Sequence, residues 1–156
     1  MTAISNDKQL RSKLDSLDIE QQRILGAQFV RSIIHLSSDN RIGKALDIAE
    51  NARSLEEEQF NAYKMLKTIA TKSYTDCGSE TDWIEQAEHF VASAAMACLT
   101  PDRLITKGKS VAWKTAIQAR MAKNCEMIEK DSGEIDNEAL KQYRMAEEFC
   151  QLNPIE

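Results

Sequence analysis

The sequence predicts an all-α protein, a single-domain irregular bundle or array of about six helices. Three observations support this fold class. Only 5 glycines and 2 prolines occur in 156 residues, which leaves few turn signals for a many-stranded protein. Apolar residues recur at spacings of three and four, whereas strand-like alternation is missing. Apolar residues make up 42% and charged residues 29% of the chain, which is typical of a globular domain with a buried core.

The first third of the chain is expected to contain an N-terminal tail and two helices. Residues 1–15 are mostly polar and are predicted to be a partly frayed segment, which places the helical domain at 16–156. Ser16 can accept a hydrogen bond at a helix start, so it is predicted to cap a helix over 17–36. After the break "SSDN", a second helix is predicted over 40–52.

The middle of the chain is expected to contain two long helices. Ser54 and Glu57 have the S-x-x-E spacing of a capping box, which predicts the start of a third helix over 55–75. Gly78 suits the left-handed conformation that often ends a helix. A fourth helix with an alanine-bearing face is predicted over 81–99.

The remaining helices follow Pro101, whose missing N–H suits the first position of a helix. A short turn, a long helix over 109–130 and a final helix over 137–151 are predicted, with Asp136 as the last cap. The inward stripe of the long helix is expected to be Trp113, Ile117, Met121 and Ile128. Over the whole chain, the residues predicted to be mostly buried include Leu25, Phe29, Leu46, Leu66, Ile84, Val91, Ile117 and Tyr143.

The stretch "SETDWIEQAEHF", residues 79–90, gathers four carboxylates and one of the two histidines. Glu85 and His89 lie four residues apart, so on a helix they share a face and could form a metal or acid–base site. However, the inward positions of this helix are already taken by Ile84, Ala87 and Val91. We therefore interpret the stretch as surface charge, and we predict neither a metal nor a cofactor.

No catalytic signature is found in the sequence. The patterns G-x-S-x-G, H-E-x-x-H, the P-loop and G-x-G-x-x-G are missing. The four cysteines are far apart and lack the close pairs typical of zinc sites, so reduced thiols are expected. The sequence therefore favours a protein that is not an enzyme. The alternative is a small helical enzyme or ligand-binding protein whose site forms only in the fold.

Two consecutive regions carry opposite charge. Residues 73–102 contain six acids and no Lys or Arg, and residues 103–125 contain six bases and no Asp or Glu. The two blocks could neutralise one another as antiparallel neighbours, or they could form a polarised surface that meets a charged partner. The candidate partner-binding residues are Glu80, Asp82, Glu85, Glu88, Arg103, Lys107, Lys109 and Lys114.

The net charge of −5 argues mildly against general binding to nucleic acid or anionic membranes. The N-terminus has no apolar core typical of a secretion signal, and no uncharged run is long enough to span a bilayer. A cytoplasmic protein that binds another protein is therefore expected. A nucleic-acid-associated regulator that uses the basic block at 103–123 is a further alternative.

The segment "SDNRIGKALDIAENA", residues 38–52, has the pattern D-x-R-x-x-x-A-L, with Asp39, Arg41, Ala45 and Leu46 at the defining positions. It resembles a segment of bacterial immunity-protein-like helical domains. The order of the surrounding helices agrees over roughly residues 17–154. The resemblance implies an all-α, non-enzymatic protein that binds and neutralises a protein toxin, such as a basic toxin or effector. It implies no particular functional residue.

Overall fold

The computed structural model describes residues 3–51, 53–76, 82–106, 110–130 and 137–153. Over these residues the chain is an all-α bundle, and no strand occurs in them. The seven α-helices of the described residues are α1 (Asp7–Asp15), α2 (Ile19–Arg31), α3 (Asn40–Glu50), α4 (Glu56–Asp76), α5 (Trp83–Cys98), α6 (Val111–Lys130) and α7 (Glu138–Leu152). Short 3₁₀ turns at Ile34–Leu36 and Asp102–Leu104 join α2 to α3 and α5 to α6. The predicted all-α class is confirmed, and the described residues contain one α-helix more than the expected six.

Helix α1 was not predicted, because residues 1–15 were expected to be a frayed tail. Asn6 caps α1, and Leu10 and Leu14 are fully buried on its inner face. They pack into a cluster that includes Leu25 and Phe29 of α2. Two leucines four residues apart are too weak a pattern to predict a helix from sequence, but they are enough to hold one against a core.

Asp and Asn side chains cap the N-termini of several helices. Asp18 caps α2 by accepting a hydrogen bond from the backbone N–H of Gln21, whose side chain accepts one from the backbone of Asp18. Asp39 caps α3 and Asn137 caps α7. These side chains satisfy backbone donors that have no partner within the helix.

The predicted roles of Ser16 and of the Ser54–Glu57 pair are wrong. Ser16 follows the last turn of α1, where its hydroxyl donates to the carbonyl of Lys13. The hydroxyl of Ser54 donates to the Ile48 carbonyl at 2.7 Å instead of capping α4. The predicted cap Asp136 lies outside the described residues.

Two hydrophobic clusters form the core, and α2 contributes to both. One cluster joins α2 to α3, α4, α5 and α6 and contains Leu46, Leu66 and Val91. The other joins α2 to α1, α6 and α7 and contains Phe29 and Tyr143. The predicted burial of these residues is confirmed.

Helices α2, α5 and α6 pack through small side chains. On the inner face of α6 the fully buried residues are Ala112, Thr115, Ala116, Ala119 and Ala122. A Cβ at Gly26 of α2 would lie 3.3 Å from Cys98 Sγ and 3.4 Å from Thr115 Oγ1. Such contacts are tighter than ordinary packing, so glycine at this position lets the three helices approach closely.

The bulky residues of α6 therefore face outward, contrary to prediction. Met121 is 41% exposed and Ile128 is 51% exposed, while Trp113 and Ile117 are only partly buried. Ile84, predicted to be buried at the start of α5, is 57% exposed. The inward face of α6 follows its alanines, because close helix packing leaves no room there for larger side chains.

Candidate functional site

A cavity of about 730 Å³ opens along the seam between the second half of α5 and the first half of α6. We call it the trough. Helix α1 forms one wall and α4 forms the other. The residues that line it are Arg11, Asp15, Tyr63, His89, Phe90, Ser93, Met96, Ala97, Thr100, Leu104, Ser110, Trp113, Lys114, Ile117 and Gln118.

The floor of the trough is apolar and comes from two helices. Phe90, Met96 and Ala97 come from α5, and Trp113 and Ile117 come from α6. All five are partly buried, so they keep accessible surface inside the trough. Aromatic and methionine side chains of this kind are enriched in protein interfaces, where they supply large and adaptable apolar contacts.

Cations lie over the aromatic ring at the α1 wall. The guanidinium carbon of Arg11 is 5.1 Å from the Trp113 ring centre, and that of Arg120 is 5.4 Å from it. Arg120 is held by two hydrogen bonds to Asp7, at 2.8 and 3.0 Å, and by one to Gln142. The hydrogen bonds from Arg120 lower the pKa of Asp7. Helix α1 is thus tied to α6 at the wall of the trough.

A similar pair of cations lies over the ring of Phe60 on α4. The Lys64 ammonium is 4.8 Å and the Arg103 guanidinium 4.6 Å from the centre of the Phe60 ring. Phe60 lines a separate cavity, together with Glu56, Pro101 and Asp102. Trp113 and Phe60 thus each carry two cationic groups, but of the two rings only Trp113 lines the trough.

His89 lies at the edge of the trough, with its ring against α4. Its Nδ1 is 2.9 Å from the Ala70 carbonyl oxygen, which can only accept, so Nδ1 carries the proton. Glu85, the predicted partner of His89, is exposed on α5. In the part of the chain that the structure describes, no group of three or more His, Cys, Asp or Glu residues could hold a metal ion.

Of the predicted acidic residues, Asp82, Glu85 and Glu88 lie toward the start of α5 and do not line the trough. Asp82 caps α5 by accepting hydrogen bonds from the backbone N–H groups of Ile84 and Glu85. Glu88 accepts from the backbone N–H of Ser38 at 3.0 Å and from its hydroxyl at 2.8 Å. Glu80 lies outside the described residues. Two of these carboxylates thus have structural partners in the fold.

Of the four predicted basic residues, the structure describes two. Lys114 is exposed and lines the trough, whereas Arg103 is exposed and lies over the Phe60 ring. Lys107 and Lys109 lie outside the described residues. The sequence analysis missed Arg11, because α1 was not predicted. It also missed Phe90 and Met96. They lie off the alanine face of α5, and the sequence does not show that another helix creates a cavity beside them.

A second polar cluster lies at the C-terminal end of α6. The Glu126 carboxylate is 7% exposed and accepts hydrogen bonds from Lys123 Nζ at 2.6 Å and His35 Nε2 at 2.9 Å. Lys130 Nζ lies 3.5 Å away. Burial raises the pKa of Glu126, but the hydrogen bonds from Lys123 and His35 outweigh it and lower the pKa to about 2. The cluster joins α6 to the turn at Ile34–Leu36 and is structural.

Comparison with known proteins adds no precedent for this arrangement. No protein-family model, curated protein or solved structure matches the chain. Among the helices that the structure describes, none is both long and apolar enough to cross a membrane. The functional argument therefore depends on the geometry of the trough.

Proposed function

We propose that this protein is a non-catalytic binding protein that works in the cytoplasm and holds a segment of another protein in the trough. The observation that carries the proposal is the apolar floor shared by α5 and α6, with aromatic, methionine and isoleucine side chains that remain accessible. Side chains of this kind usually mark an interaction site when they are grouped together. The trough is open along its length, so it can admit a polypeptide.

Two of the hydroxyl groups that line the trough, those of Thr100 and Ser110, have hydrogen-bond partners within the fold. The Thr100 hydroxyl donates to the Ala97 carbonyl at 2.9 Å within its own helix. The Ser110 hydroxyl donates to Gln22 Oε1 at 2.9 Å. Each thus has a structural hydrogen-bond partner, whereas a nucleophile would need a nearby base to take its proton.

The resemblance of residues 38–52 to immunity-protein-like domains agrees with a binding role, and we propose a protein toxin or effector as the partner. The pattern residues themselves build α3. Asp39 caps the helix and pairs with Arg41, and Ala45 and Leu46 are fully buried. The pattern therefore supports the fold of such a domain, and the partner would be bound elsewhere, in the trough.

Site-specific crosslinking tests the proposal. A photoreactive side chain at Lys114, at the edge of the trough, should capture a discrete polypeptide in cells that make the protein. The same group at Lys44, an exposed lysine of α3, is the matched control and should not capture it. The substitution Ile117→Asp, checked for folding by circular dichroism, places a charge on the apolar floor and should abolish the crosslink. Equal crosslinking from both lysines, or none from position 114, would contradict the proposal.

A further inference from the structure

Arg23 of α2 is a buried cation whose hydrogen bonds are incomplete. Its side chain is only 7% exposed. Nη2 donates to the Thr100 carbonyl at 2.6 Å and to Asp102 Oδ1 at 2.8 Å. Nε is buried and has no hydrogen-bond partner among the described residues, and Nη1 has none there either. A buried donor without an acceptor is unfavourable, so the guanidinium favours a further acceptor beside it.

Two cavities of about 180 Å³ each open beside this side chain. The first lies between α2, the end of α3 and α4, and the second lies between α4 and the residues that follow α5. Arg23 and Gln59 line both, and neither cavity shares a lining residue with the trough. The side-chain amide of Gln59 is partly buried and makes no hydrogen bond to the described residues. The cavities therefore meet at two side chains with unused hydrogen-bonding capacity.

Carboxylates oppose the charge of Arg23 in both cavities. In the first, Glu20 is the only charged side chain besides Arg23 among the described lining residues. In the second, Glu56 and Asp102 line the cavity with Arg23. An anion at Arg23 would lie close to these carboxylates, and a cation would lie close to the guanidinium. The field at the first cavity therefore favours neither sign of charge.

Two further cations bring the second cavity close to neutrality. The Lys64 ammonium and the Arg103 guanidinium lie 4.8 and 4.6 Å from the centre of the Phe60 ring, and Phe60 lines this cavity. They offset the carboxylates of Glu56 and Asp102. Both cavities thus suit a ligand that is polar but uncharged.

Hydroxyl groups are the uncharged groups that fit these cavities best. Arg23 supplies donors, the carboxylates supply acceptors, and the Gln59 amide supplies both. Every hydroxyl can donate and accept at one atom, whereas an amide divides the two roles between two atoms. Ala49 in one cavity and Pro101 in the other offer apolar surface to C–H groups. Because a cavity of about 150 Å³ can hold benzene, each of these has room for a single six-membered ring.

We propose that Arg23 and Gln59 form a binding site for a neutral polyhydroxylated ligand of one ring, the size of a monosaccharide. One hydroxyl would accept a hydrogen bond from Arg23 Nη1, and its neighbour would donate to a carboxylate at the edge of the cavity. The Gln59 amide would bind a further hydroxyl. The inference goes beyond the proposed function, since this site and the trough have no lining residue in common.

Nuclear magnetic resonance tests the proposal, because the Nε–H group of a buried arginine gives a signal of its own. Titration with D-glucose, D-galactose or myo-inositol should shift the Arg23 signal in a saturable way. Gln59→Leu keeps a side chain of similar size but removes the amide, so it should weaken the binding at least about tenfold. Gln28→Leu changes another partly buried glutamine, on α2, that lines neither cavity. This matched control should bind as the wild type does.

The contrary outcomes are distinct. If none of the three polyols gives a saturable shift, a buried water is the partner of Arg23 and the proposal is overturned. A larger shift with acetate, methylguanidinium or acetamide would also overturn it, by assigning the site to an anion, a cation or an amide. So would equal weakening by Gln59→Leu and Gln28→Leu. If Gln59→Leu does not fold, Gln59→Met takes its place. Crosslinking from position 114 tests the trough separately.

Discussion

At the scale of single residues, Glu126 shows how one buried carboxylate can join distant parts of the chain. It lies on α6 and is bonded to Lys123 of the same helix and to His35 between α2 and α3. The Lys123 side chain is itself only 10% exposed. A buried ion pair need not add much net stability, but the loss of one partner leaves the other charge buried and uncompensated.

Glu126→Gln should therefore lower the free energy of unfolding by about 3 kcal/mol near neutral pH. The pKa of Glu126 lies at about 2 in the folded protein, below its ordinary value of 4.5. Its contribution is thus present above pH 4.5 and is lost as the pH falls toward 2. Urea denaturation at several pH values should show this loss in the wild type and less of it in the variant. Glu129→Gln, an exposed change on the same helix, is the control. Equal effects of the two changes would contradict the expected role of Glu126.

At the scale of elements, α6 has two apolar faces with different roles. The small face, which includes Ala116 and Ala119, packs inside the bundle and is fully buried. On the bulky face Met121 is exposed and Ile117 is partly buried, while Trp113 packs partly against the second core cluster. The small residues determine which face is buried, because they allow α6 to approach its neighbours closely.

Substitutions on the buried small face of α6 should cost more stability than substitutions on its exposed bulky face. Ala119→Leu adds bulk to a packed interior and should destabilise the protein by about 1–3 kcal/mol. Met121→Lys and Ile128→Lys change exposed positions and should alter stability by less than about 0.5 kcal/mol. Thermal and urea denaturation would measure both. A large loss for Met121→Lys with none for Ala119→Leu would restore the inward stripe predicted from sequence.

Helix α1 provides a second test at the scale of elements. Leu14 is fully buried, so Leu14→Ala should cost about 2–5 kcal/mol through lost contacts and a cavity. The neighbouring Lys13→Ala, an exposed change on the same helix, should cost little. If both changes leave the urea midpoint unaltered, α1 contributes nothing to the core, and the N-terminal segment is the tail expected from sequence.

At the scale of the whole molecule, the chain direction separates the carboxylates of α5 from Lys114 near the start of α6. The turn after α2 contacts Glu88 near the start of α5 and Glu126 near the end of α6, so the two helices are antiparallel. Residues 90–100, the uncharged part of α5 and the residues that follow it, therefore lie beside the basic start of α6. The acids of α5 lie at the opposite end of the bundle. Glu85 and Glu88 of α5 therefore lie far along the helix pair from Lys114 of α6.

A double-mutant cycle should detect this separation. Glu85 is near the start of α5, and Lys114 contributes to the trough near the other end of that helix. The effects of Glu85→Gln and Lys114→Gln on the free energy of unfolding should add within about 0.5 kcal/mol, as expected for residues that do not touch. Coupling well above that value would show that the blocks neutralise one another across the α5–α6 seam.

Much of the secondary structure could be predicted from sequence, but less of the site. The helices after α1 start and end within a few residues of their predicted bounds, apart from the 3₁₀ turn that ends the segment predicted as 17–36. Of the residues named as candidates, Lys114 lines the trough. Tyr63, Phe90 and Met96 could not be predicted, because a site between helices depends on which elements meet.

The sequence by itself determined the all-α class and the order and approximate bounds of six of the helices. These properties depend on local signals, namely apolar spacing, caps and rare glycine and proline, which act over a few residues. Only the tertiary structure decided which face of α6 is buried, whether α1 forms, and where the charge blocks lie. Those outcomes depend on contacts between distant residues such as Gly26 and Thr115, or Asp7 and Arg120. Because packing and ion pairing act between elements, no local pattern of apolar or charged residues could reveal the trough they create.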